Sequence, residues 1–99
     1  MRPYELTERA LRDLAHARDW YDRHSMELGN RFIDAVLAAV RVARERPMSF
    51  PVVRNGIRAV RCKRFPYRVY FETLNDRIVV LAIYHTARNP PLWDDAGRA

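Results

Sequence analysis

Ninety-nine residues, 48% of them hydrophobic and 30% charged, are enough for one domain with a thin core (residues 1–99) and leave little room for a second. A formal net charge of +6, from 18 basic and 12 acidic residues, disfavours a merely solvated surface and implies a negative partner. The single cysteine, Cys62, excludes an internal disulfide; with three scattered histidines (His16, His24, His85) it makes no zinc set, so no metal and no cofactor are expected.

Residues 4–6 fit a short opening strand. Thr7 is then placed as an N-cap, with Glu8 in the first turn, where the helix dipole favours a negative charge. Ala10, Leu14, Ala17 and Tyr21 recur at helical spacing and predict a helix over about 8–24. His16 and His24 fall on its charged side and imply no specific role, whereas Trp20 is expected to pack against the sheet. Ser25 is a second cap, and the stripe Phe32, Val36, Val40, Ala43 predicts a helix over about 26–46, stopped by Pro47. So short a link makes the two helices an antiparallel hairpin. Residues 47–56 read as a loop ending in an Asn55-Gly56 turn, with Phe50 turned to the core.

Beyond Ile57 the pattern changes to strands, at 57–62, 67–73 and 77–84, rich in Val, Ile, Tyr and Phe. Pro66 and Asn75-Asp76 mark the connections between them. The run 78–84 is apolar throughout, which places it inside the sheet, and at seven residues it is far short of the roughly 20 that span a bilayer. With no apolar leader in Met1-Arg2-Pro3-Tyr4-Glu5, the expected compartment is the cytoplasm. The element order β-α-α-β-β-β implies an α+β fold, the helix hairpin packed on a mostly antiparallel sheet. Residues 94–99 are expected to fray.

The charge is concentrated. Arg54, Arg58, Arg61, Lys63, Arg64 and Arg68 follow one another with no acidic residue among them; setting these six aside leaves 12 basic residues against 12 acidic ones. The entire excess therefore belongs to one short segment. Alternation along the 67–73 strand puts Arg68 and Tyr70 on the face opposite Val69 and Phe71. If the helices cover Val69, then Arg58, Arg61, Lys63, Arg64, Arg68 and Tyr70 form a basic surface. The last strand is expected to bring His85 and Arg88 to the same edge, with Trp93 nearby. Such a surface suits phosphates and stacked bases. No glycine-rich phosphate loop, Gly-x-Ser-x-Gly or His-x-x-x-His occurs. A metal-independent ribonuclease is chemically open, with His85 as base or acid and Lys63, Arg68 and Arg88 on the phosphate.

Longer strings are more specific. Arg64-Phe65-Pro66-Tyr67-Arg68-Val69-Tyr70-Phe71-Glu72, Asp76-Arg77-Ile78-Val79-Val80-Leu81 and Tyr84-His85-Thr86-Ala87-Arg88-Asn89-Pro90, with Trp93, resemble RelE/ParE-family toxins. Glu8-Arg9-Ala10 and Gly29-Asn30-Arg31-Phe32 in the helical half are also similar to that family, so the resemblance runs over nearly the whole chain. It implies the same fold and a type II toxin–antitoxin (plasmid stabilisation) pair, in which a cognate antitoxin, ParD-like or similar, wraps and neutralises the toxin. RelE-like members cut messenger RNA on the ribosome, with sheet lysines and arginines and commonly a late tyrosine. Arg68 and Arg88 match that pattern, but Lys63 is the only lysine and Trp93 stands where the tyrosine is expected. Phe65-Pro66-Tyr67-Arg68 and His85-Thr86-Ala87-Arg88-Asn89-Pro90 are closer to ParE-like members, which inhibit DNA gyrase by binding. The resemblance thus implies a gyrase inhibitor; the alternative is a ribosome-dependent mRNA endonuclease, which His85 keeps open.

Overall fold

The computed structural model describes residues 1–88; Trp93 and the expected fraying tail lie outside the described residues. Strand β1 (Tyr4–Leu6) leads into helices α1 (Glu8–Asp22) and α2 (Met26–Glu45), then a short 3₁₀ turn (Pro47–Ser49) and strands β2 (Val52–Arg54), β3 (Ile57–Arg61), β4 (Tyr67–Leu74) and β5 (Arg77–His85). The five strands form one mixed sheet in the order β1-β5-β4-β3-β2. β1 runs parallel to β5, and every other pair is antiparallel.

Both helices start where the sequence places their caps. The Thr7 hydroxyl accepts from the Ala10 amide at 3.1 Å and the Ser25 hydroxyl from the Leu28 amide at 3.3 Å. Each satisfies a first-turn N–H that has no partner inside the helix. The α2 stripe of Phe32, Val36, Ala39, Val40 and Ala43 is buried against Val60, Val69, Phe71, Ile78 and Val80 of the sheet. At the far end of the hairpin, Phe32 meets Tyr21, Phe65 and Tyr67 with ring centroids 5.0–5.4 Å apart. Phe50 turns inward onto Phe71, edge to face at 6.1 Å. Trp20 is not buried against the sheet as expected: it is 51% exposed.

The structure adds one strand to the expected four. β2 is only three residues long, fully exposed and irregularly paired with β3, a pattern too short for alternation to reveal. The turn between them is Asn55-Gly56, with φ of 40° and 80°, the left-handed pair a tight hairpin needs. The apolar run of β5 lies inside the sheet, between β1 and β4.

α1 also closes a sheet edge. β1 covers only Ile78 to Val80 of β5, leaving the backbone beyond exposed to strand pairing. The Thr7 amide donates to the Val80 carbonyl (3.0 Å) and its hydroxyl to the Leu81 carbonyl (3.2 Å). Further along, the Ile83 amide donates to Asp13 Oδ2 at 3.0 Å.

Candidate functional site

The sheet carries apolar residues on both faces. Val60, Val69, Phe71, Ile78, Val80 and Ile83 face the helices. On the other face Ile57, Ala59, Tyr70, Val79, Leu81 and Ala82 form a second, smaller cluster, joined by Tyr84. Leu81 and Ala82 are consecutive yet share this face because the β4–β5 register slips by one residue: Tyr70 pairs with Ala82 and Phe71 with Val80. Leu81 is the extra residue, a β-bulge, and every side chain after it changes face.

That bulge decides which groups meet. Arg61 pairs with Arg68, and Arg68 pairs with Tyr84, so the three form one row across β3, β4 and β5 on the face away from the helices. Arg9, from the first turn of α1, reaches the end of this row. Its Nη2 donates to the Tyr84 hydroxyl at 3.3 Å, and its guanidinium lies 5.4 Å from the ring centroid. The Arg88 guanidinium stands 6.0 Å from the same ring. Two cations thus stand within range of the Tyr84 ring quadrupole.

Four of the six basic residues of the segment are not matched to carboxylates. The acidic partners sit elsewhere: Glu27 with Arg31, Glu45 with Arg41 and Asp22 with Arg18 on the helices, and Glu5 with Arg77 at the β1 edge. Among the described residues, Arg61, Lys63, Arg64 and Arg68 make no ion pair with a carboxylate. Lys63 and Arg64 extend the positive surface in the exposed turn before β4, with Arg64 at φ 70°.

Not every expected residue joins the row. Arg58 pairs with Phe71 on the helix side, and its Nη1 donates to the Phe50 carbonyl at 2.6 Å, fastening the β2 approach. Tyr70 shares the face of Arg68 but is buried between its partners Ala59 and Ala82, small residues that let the ring pack. His85 pairs with Tyr67 and lies edge-on to it at 5.1 Å, on the helix side. It is therefore separated by the sheet from Arg68, contrary to the single edge expected for His85, Arg68 and Arg88. Simple alternation along β5 would have put His85 beside Arg68; the bulge at Leu81 reverses this. Arg9 carries no signal in the sequence, since its partner is 75 positions away.

Burial tunes the neighbouring groups. Desolvation raises the Tyr67 hydroxyl above its usual range, against the opposing pull of Arg88. It also raises the Asp13 carboxyl, more than the Ile83 amide and the charges of Arg9, Arg12 and His16 lower it. Cys62, buried behind β3, is pushed up to about 11. Its thiol is a packing group and not a nucleophile.

The comparisons agree with this fold. A chain described as "Chromosomal ParDE TA system from P. aeruginosa" superposes with a TM-score of 0.75 over 86% of this chain and 96% of its own, at 20% sequence identity. No curated protein matches. The family model described as "ParE toxin of type II toxin-antitoxin system, parDE" matches residues 4–90, from the first strand past the last. The chain therefore belongs to the ParE family of toxins of type II toxin–antitoxin systems.

Proposed function

We propose that this chain inhibits DNA gyrase by binding and is held in check by a ParD-like antitoxin that covers part of the same basic face. The observation that carries this reading is the row Arg61, Arg68, Tyr84, with Arg9 and Arg88 at its end and no described carboxylate paired to Arg61 or Arg68. It is built for an acidic protein surface or a phosphate backbone, to which arginine forks bind in bidentate fashion. Membership of the ParE family favours gyrase as the target over the ribosome. Catalysis is not needed for this function. The ribonuclease alternative needs an acid or base beside the phosphate-binding arginines, and His85 lies across the sheet from Arg68.

Induced expression in bacteria tests the reading. Growth arrest should come with double-strand DNA breaks and altered plasmid supercoiling, relieved by co-expression of the antitoxin, while transcript ends stay unchanged. Arrest with normal supercoiling and new transcript ends inside coding regions would favour the endonuclease instead.

A further inference from the structure

A cleft of about 610 Å³ opens on the other side of the sheet end, between α1 and the β4–β5 strand ends. Its volume lies in the range of about 300–1,000 Å³ typical of small-molecule sites. His16, Trp20 and Arg23 line it from one side, and Tyr67, His85 and Arg88 from the other. On α1 these positions fall at helical spacing with Asp13, so one stripe of the helix forms the wall.

The lining is selective in charge and shape. Two arginines and two histidines face a single carboxylate, Asp13, and one oxygen of that carboxylate already accepts the Ile83 amide. Among the described residues Arg88 has no carboxylate partner, and Arg23 donates only to the Asp19 carbonyl, at 3.4 Å. The His85 ring is oriented: its Nδ1 accepts from the Ala87 amide at 3.0 Å, so the neutral ring keeps its proton on Nε2 as a donor. Tyr67 lies edge-on to that ring. Opposite them Trp20, a large aromatic half in solvent, lies tilted against His24 at 4.4 Å and edge-to-face with Tyr21 at 5.0 Å, which leaves part of its ring open. Ala17 and Ile83 add small apolar surface.

The geometry points to a binding site for a mononucleotide: an aromatic base against Trp20, its phosphate on Arg23 and Arg88 with His85 as a further donor. Planar aromatic walls alone suit any flat ligand, and cations alone suit any anion; together, in a cleft this size, they suit one nucleotide. The ligand is either free or the terminal nucleotide of a strand, and this site does not depend on gyrase being the target.

An NMR titration of the full chain with AMP tests it, with adenosine, inorganic phosphate and a 5′-phosphorylated tetranucleotide as separate arms. AMP is expected to shift the amides of residues 16–23 and 83–88 saturably, with adenosine and phosphate each at least ten-fold weaker. Trp20→Ala and Arg23→Gln alter exposed side chains, so both should keep the thermal midpoint while weakening AMP at least ten-fold. A tetranucleotide that binds the same residues more tightly than AMP assigns the ligand to a strand end; equal or weaker binding assigns it to a free nucleotide. Absence of saturable shifts, shifts confined to the Arg61 and Arg68 face, or adenosine binding as tightly as AMP would overturn the assignment. So would AMP affinity unchanged in both variants.

Discussion

Cys62 and Asp13 show how far a side chain's behaviour depends on where the fold puts it. The Cys62 thiol is buried beside Val60 and Phe65, and desolvation holds it protonated up to about 11. Ellman's reagent is therefore expected to react with it at pH 8 only as fast as the protein unfolds, and at once in denaturant. The sign of the linkage follows. Between the ordinary thiol value of 9.0 and about 11 the unfolded chain loses a proton that the folded chain retains, so stability falls as pH rises through that window. Cys62→Ala should flatten that slope in pH-dependent denaturation curves. Asp13 Oδ2 accepts from the Ile83 amide, so Asp13→Ala should cost about 1–3 kcal/mol in urea unfolding. Asp13→Asn keeps an oxygen there without a charge to desolvate and should lose much less. No sequence pattern marks Asp13, because its partner lies 70 residues away.

Among the elements, the most legible were those whose signal is local. Both helices could be read from capping hydroxyls and apolar stripes, and the structure keeps Thr7 and Ser25 as caps. β2 was not legible, since three residues between Pro51 and Asn55-Gly56 cannot establish a period. The bulge at Leu81 was equally invisible in a run that is apolar on both faces, and it is what moves Tyr84 to the arginine row and His85 away from it. Of the candidate site, Arg68 was readable from strand alternation and Arg61 only as a member of the basic run; Arg9 was not readable, and Arg58 was misplaced by the parity of β3. Thr7 joins helix to sheet, accepting from Ala10 and donating to Leu81. Thr7→Ala should thus cost about 2 kcal/mol, at the upper end for an N-cap, whereas Thr7→Ser should recover most of it in the same unfolding assay.

For the whole molecule, the distribution of charge matters more than its sum. Arg18, Arg31 and Arg41 on the helices are matched with carboxylates one turn away, whereas Arg61 and Arg68 on β3 and β4 and Lys63 and Arg64 in the turn between them are not. The family fold supplies the frame: a helix hairpin covers one sheet face and leaves the other to carry Arg61, Arg68 and Tyr84. A supercoiling assay with purified gyrase, relaxed plasmid and ATP tests the role of that row most directly. The wild-type chain is expected to inhibit supercoiling, and Arg61→Ala/Arg68→Ala, with an unchanged thermal midpoint, to need at least ten-fold more protein for the same effect. Equal inhibition by that folded double variant, or none by the wild-type chain, would contradict it.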